Sequence, residues 1–130
     1  MRIRRRRGSN VVEFALLFPV FVWLVTAITD YGWYFLVRTA AADAAHEAAR
    51  EGAVTTVEND PVAAAKSTAL SRFASTGLSL IPTPTAELGG QAPDRYVSVT
   101  VEVSVPALVG LVPCPTSATI TSVMRLEDQS

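Results

Sequence analysis

Residues 2–28 read RIRRRRGSNVVEFALLFPVFVWLVTAI, a basic cluster followed by a long apolar run. The arginines end before Gly8, and between Val11 and Ile28 only three residues are not apolar: Glu13, Pro19 and Thr26. A helix needs roughly 20 such residues to cross the hydrocarbon core of a bilayer. The stretch therefore predicts a transmembrane helix with a carboxylate just inside its start.

The two signs of charge are segregated along the chain. The 130 residues carry 11 basic and 12 acidic side chains, for a net charge of −1. Five of the basic side chains are arginines before Gly8, so six remain against all twelve acids in the rest of the chain. A basic cluster beside an apolar span stays in the cytoplasm, which predicts an exported remainder. The cluster has no aromatic residues among its arginines, so a nucleic-acid interface is disfavoured.

A basic stretch before an apolar run also describes a secretory signal peptide. Here the run is longer than the usual apolar region of about 7–15 residues. It continues into Tyr31, Trp33 and Tyr34, the kind of aromatic residues that lie at a membrane interface. Residues 9–37 are therefore predicted to remain as the anchor, with a cut inside residues 39–45 as the open alternative.

The exported part, residues 38–130, begins with helical patterns. Residues 38–53 are rich in alanine, and helix formation is predicted to end at Gly52. A stripe of small residues at helical spacing is expected to admit another helix closely; its members are Ala41, Ala44, Ala45, Ala48 and Ala49. Asp60-Pro61 predicts the start of a second helix over residues 61–76. Its inward side chains are expected to be Val62, Ala65, Ala69, Leu70 and Phe73.

Residues 96–105 alternate valine with mostly polar side chains, which predicts a strand with one buried face. A second strand is expected over residues 117–126, and residues 78–84 are interpreted as an extended connector. Two strands alone are marginally stable, so the sheet must pack on a helix. The predicted fold is α+β: a long N-terminal transmembrane helix that extends into a small head with a second helix and a two- or three-stranded antiparallel sheet.

Candidate chemistry is sparse in the sequence. His46 lies near Asp43 and Arg50, an arrangement interpreted as a solvated helix face. Cys114 is the only cysteine, so it is interpreted as structural and forms no internal disulfide. No motif for nucleotide, zinc or acyl-transfer chemistry occurs. The sequence predicts no enzyme activity, cofactor, metal site or small-molecule substrate. Loop 107–112 is unusually apolar, and it could cover the core, dip toward the membrane or meet a partner.

A basic leader that ends in Gly8, with Glu13 as the fifth residue after it and an apolar helix behind, resembles the processing motif of type IV prepilins. The longer string RGSNVVEFALLFP over residues 7–19 resembles the TadE-like family, the minor pilins or pseudopilins of tight-adherence, Flp-type pili. The Met-Arg-x-Glu ending at residues 124–127 is also similar. The resemblance implies that a prepilin peptidase cuts between Gly8 and Ser9, which makes residues 1–8 a leader.

The resemblance also implies assembly functions for Glu13, Phe14 and Pro19. Glu13 would pair with the amine of Ser9, its own or that of a neighbouring subunit, and so set the register of subunits. Phe14 belongs to the same VEFAL motif, and Pro19 would permit local melting of the helix during assembly. Two simpler interpretations remain open: a carboxylate stabilised by its own helix N-terminus and an ordinary proline kink.

The sequence thus favours a structural subunit in a bacterial inner membrane, single-pass, with a cytoplasmic N-terminus and a periplasmic head. The implied partners are the lipid bilayer, a prepilin peptidase, other pilin-like subunits and the pilus assembly platform. Two alternatives come from other classes. One is a single-pass anchored binding or scaffold protein of the cell envelope, and the other is an accessory subunit of a secretion or membrane enzyme complex.

Overall fold

The computed structural model describes residues 7–56, 59–91 and 93–127, with only the backbone of residues 7–10. Leader residues 1–6 lie outside the described residues. The elements follow in the order α1 (Arg7–Val54), α2 (Pro61–Ala74), β1 (Pro82–Gly89), β2 (Tyr96–Ser104) and β3 (Ser117–Arg125). The three strands form one antiparallel sheet. The predicted α+β fold is confirmed, with three strands.

Helix α1 has two halves with different surroundings. It spans 48 residues, about 72 Å at 1.5 Å per residue. Residues 11–29 are exposed or only partly covered, and the helix continues through Pro19. From Asp30 onward, one face is buried at helical spacing. The first half therefore projects from the head, and the second half belongs to the head.

The alanine stripe forms the centre of the head, as the sequence predicts. All five predicted alanines are fully buried, and both α2 and the sheet pack against α1. Gly52 does not end the helix, which runs on to Val54. A Cβ on Gly52 would lie 3.1 Å from Cγ1 of Val97 and 3.2 Å from both Cβ of Ala65 and the carbonyl oxygen of Pro61. Gly52 is therefore a position at which α1, α2 and β2 approach one another closely, rather than a helix stop.

Helix α2 begins at the predicted cap. The carboxylate of Asp60 accepts hydrogen bonds from the backbone N–H of Val62 at 3.2 Å and of Ala63 at 3.1 Å. The buried face consists of Pro61, Ala65, Ala69 and Phe73, with Val62 partly buried. The inward prediction for Leu70 is wrong, because its side chain is 46% exposed. It follows Ala69 directly and is rotated by about 100° from it around the helix, away from the buried face.

The sheet has the order β1-β2-β3, with β2 in the centre. The buried side chains of β2 are all valines, as predicted, and they face the helices. Strand β1 begins at Pro82, inside the stretch 78–84 that the sequence interprets as a connector, and runs on to Gly89. Proline cannot donate to a sheet ladder and is confined to edge positions. Pro82 and Pro84 therefore made this stretch look like a connector in the sequence. In the structure, both lie in the edge strand β1.

Candidate functional site

The projecting half of α1 carries large apolar side chains on all sides. Residues 11–28 are long and apolar enough to cross a membrane by length and composition, and none of this window is buried in the head. Their length is about 27 Å at 1.5 Å per residue. Apolar surface of this extent is unfavourable in water and requires lipid or other helices. The exposed side chains include Phe14, Leu16, Leu17, Phe21, Trp23 and Leu24.

The residues predicted for processing and assembly all lie in this half. The backbone of Gly8 and Ser9 is part of α1, and Ser9 precedes Glu13 by four residues, about 6 Å along the axis. Glu13 is exposed. The ring of Phe14 lies 5.7 Å from the ring of Phe18, measured between centroids. Their functions in processing and register stay predictions.

Pro19 lies beside a shallow apolar depression. Together with Val20 and Trp23 it forms the lining of this surface. The backbone is helical on both sides of Pro19.

The three aromatic residues predicted for the membrane interface lie at the junction of the two halves. The hydroxyl of Tyr31 donates to the carbonyl oxygen of Pro113 over 3.2 Å. Trp33 and Tyr34 are partly buried and pack against the core of the head. Nε1 of Trp33 is buried and has no hydrogen-bond partner among the residues that the structure describes. The aromatic side chains therefore join the helix to the head, and their position at a membrane interface stays a prediction.

Asp30 is a buried residue whose structural position sequence reasoning missed. Its side chain is only 1% exposed. Oδ1 accepts a hydrogen bond from the backbone N–H of Val109 at 2.8 Å, and Oδ2 accepts one from Gly110 at 3.0 Å. Gly110 has a left-handed φ of 73°, a conformation that glycine adopts without strain. Through these two hydrogen bonds, Asp30 holds the loop between β2 and β3 on α1.

A signal for Asp30 was present in the sequence. Asp30 follows the apolar run that ends at Ile28. It also stands seven residues before Val37, on the face that continues into the alanine stripe. An acid on a buried face requires hydrogen-bond partners. Its partners are 79 and 80 residues away in the sequence. Helix and strand periodicity relates only residues that are close in sequence, so it does not predict such a contact.

Cys114 and His46 have structural surroundings. The thiol of Cys114 is partly buried, with Sγ 3.8 Å from the backbone oxygen of Asp30. Nδ1 of His46 lies 3.2 Å from Oγ of Ser122, and this contact links α1 to β3. Within residues 7–56, 59–91 and 93–127, no group of three or more His, Cys, Asp and Glu side chains could hold a metal ion.

Comparison with known proteins identifies a related family. The family model described as TadE, TadE-like protein, matches residues 8–50. The matched segment begins at Gly8 and includes the whole projecting half of α1, Asp30 and the alanine stripe. No curated protein and no solved structure matches the chain. The resemblance drawn from the sequence is confirmed over residues 8–50.

Proposed function

We propose that this chain, whose residues 8–50 match the TadE-like family, is a minor-pilin-like structural subunit of a tight-adherence pilus. A prepilin peptidase cuts it after Gly8, and the projecting half of α1 holds it in the bacterial inner membrane. The head lies in the periplasm and meets other pilin-like subunits and the assembly platform. The observation that carries the proposal is an unburied apolar helix half joined without a break to a packed head.

Burial in the head supports an anchor that is retained over a signal peptide that is removed. Any cut within residues 39–45 would remove Val37 from the core of the head, and a cut near the end of this range would also remove Ala40, Ala41 and Ala44. It would also remove Asp30, the residue that holds the loop between β2 and β3. A cut after Gly8 leaves all of these contacts intact. Of the two cuts, only the one within residues 39–45 would remove packing and hydrogen-bond contacts from the head.

The direct test of processing is N-terminal sequencing of the full chain after co-expression with a prepilin peptidase. We expect a mature protein that begins at Ser9. Gly8→Val is expected to block the cut, because the peptidase must accommodate the residue before the scissile bond. The matched control is Gly32→Val, because a Cβ on Gly32 would meet none of the described atoms within 4 Å. An intact Met1 in the unchanged chain would favour an anchored scaffold protein instead.

Glu13→Ala separates processing from assembly. We expect normal cleavage and membrane insertion but fewer pili, because the carboxylate that would pair with the Ser9 amine is lost. The control is Glu47→Ala, which removes an exposed carboxylate from the head half of the same helix. Pili are counted by electron microscopy in a strain that carries the complete pilus system. Unchanged pilus numbers with Glu13→Ala would mean that Glu13 only stabilises the start of its own helix.

A further inference from the structure

We propose that the loop Val105–Thr116 is a second membrane contact, whose exposed apolar side chains enter the interfacial layer of the outer leaflet beside the transmembrane helix. This loop, the membrane loop below, joins β2 to β3. The proposal rests on the anchoring proposed above and adds a surface of the head to it. The occupant of the surface is lipid.

The position of the membrane loop along α1 is fixed by its contact with Asp30. The hydrogen bonds from Val109 and Gly110 hold its tip at residue 30 of the helix. Residue 30 is two residues, about 3 Å, beyond Ile28, where the apolar run ends. The interfacial layer of a bilayer is roughly 5–7 Å thick on each side of the hydrocarbon core. The tip therefore lies at the depth of the lipid headgroups when the helix spans the membrane.

The side chains of the membrane loop suit this depth. Leu108, Val109 and Leu111 are 58%, 47% and 60% exposed. They do not cover the core, which excludes the first of the three interpretations that the sequence left open. No charged residue occurs between Glu102 and Arg125. Exposed apolar side chains are favoured at the boundary between the headgroups and the acyl chains.

This end of the head has further apolar surface, although Arg72 stands in the last turn of α2 and Glu102 pairs with Thr83, one residue from the start of β1. Strand β1 begins here, since Pro82 pairs with Val103. The connection that precedes it, residues 75–81, contains no charged residue and includes the highly exposed Ile81. The opposite end of the head carries Asp94, Arg95, Arg125 and Glu127 beside the turn between β1 and β2. The apolar loop and Ile81 thus lie at the end of the head next to the span, and the ion pair of Arg125 with Asp94 lies at the opposite end.

Lipid is favoured over a second copy of the chain as the occupant. The membrane loop is attached to its own transmembrane helix, so every anchored copy holds it at the same depth. In an anchored monomer that has not yet assembled, lipid surrounds the helix at that depth. The loop at this depth also stabilises Asp30. It supplies two N–H groups to a carboxylate that would otherwise lie near lipid without hydrogen-bond partners.

The test measures the depth of a probe in full-length protein reconstituted into phosphatidylcholine–phosphatidylglycerol vesicles. In a Cys114→Ala background, Leu111→Cys and Gln91→Cys each carry a nitrobenzoxadiazole label. Gln91 is exposed and lies in the turn at the opposite end of the head. With lipids spin-labelled near the top of the acyl chain, we expect blue-shifted, quenched emission at position 111 and neither change at position 91. Equal emission at the two positions, in protein that floats with the vesicles, would overturn the proposal.

Flotation separates failure of this proposal from failure of the anchor, because protein that does not float with vesicles contradicts the anchor itself. A blue shift at position 111 that disappears as the protein is diluted in lipid would assign the surface to a second copy and overturn the lipid assignment. Asp30→Ala is expected to reduce the quenching, since the tip loses its two hydrogen-bond acceptors. Asp43→Ala, an exposed site on the same helix, is expected to leave it unchanged.

Discussion

Asp30 and Asp60 use the same chemistry at different ranges. Each accepts hydrogen bonds from two successive backbone N–H groups. Asp60 satisfies the start of its own helix, where the first N–H groups have no partner within the helix. Asp30 satisfies a loop that arrives from the other end of the chain. The first contact shapes one element, and the second fixes where the head meets the span.

Asp60 also tolerates an unusual backbone conformation, with φ of 52°. Asp60→Ala removes the cap and places alanine in the left-handed region. We expect the head to lose about 1–3 kcal/mol of unfolding free energy, from a cap worth about 0.5–2 kcal/mol and a left-handed penalty of about 1 kcal/mol. Asp60→Asn keeps an acceptor and a residue type that tolerates this region, so a loss below about 0.5 kcal/mol is expected.

The measurement for Asp60 is thermal unfolding of the full chain in detergent micelles, followed by near-UV circular dichroism. The aromatic residues at the junction with the head, Trp33 and Tyr34, report its packing. Equal losses for the alanine and asparagine variants would show that a neutral acceptor cannot replace the carboxylate of Asp60.

At the scale of elements, α1 is one continuous helix whose first half projects from the head and whose second half forms part of its core. Its first half is bulky and apolar, and its second half has small residues on the buried face. Small side chains allow α2 and the sheet to approach closely, and Gly52 marks a tight point of this contact. The change in residue size along the helix therefore separates the exposed apolar half from the half that builds the head.

Gly52→Val and Gly32→Val form a matched pair on this helix. At Gly52, a Cβ would already meet three neighbours at 3.1–3.2 Å, so valine overpacks the head and should cost about 1–3 kcal/mol. At Gly32, a Cβ would meet none of the described atoms within 4 Å, so the expected change is near zero. Chemical denaturation in micelles measures both. Comparable losses at the two sites would mean that the close contacts around Gly52 do not decide the effect, since helix propensity favours valine over glycine at both sites.

The sequence predicted the elements whose signal is local. The alternation of β2, the alanine stripe and the cap at Asp60 each follow from residues close together in the chain, and all were confirmed. Strand β1 was missed because its two prolines are typical of a connector, and its pairing with β2 supplies the missing order. Asp30 was missed because its partners are remote in sequence. The functions of Gly8 and Glu13 depend on other molecules, so the fold of one chain leaves them as predictions.

At the scale of the whole molecule, charge and apolar surface are arranged along one axis. The arginine cluster lies in the sequence before the span, and the end of the head that carries the apolar membrane loop follows the span. The charged end of the head lies near Ala53, because the backbone N–H of Glu127 donates to its carbonyl oxygen at 3.2 Å. Ala53 is 23 residues beyond Asp30, about 35 Å along the helix. This order favours a single orientation, with the arginines held in the cytoplasm.

Labelling of single cysteines in spheroplasts tests that orientation. In Cys114→Ala chains made without a prepilin peptidase, Gln91→Cys is expected to react with a membrane-impermeant maleimide before lysis. Ile3→Cys, in the leader, is expected to react only after lysis, because the five arginines keep the leader in the cytoplasm. Both variants have the same transmembrane helix and are labelled with the same reagent. A difference in labelling before lysis therefore reports the side of the membrane on which each cysteine lies. Protection of Gln91→Cys until lysis would reverse the orientation and contradict a periplasmic head.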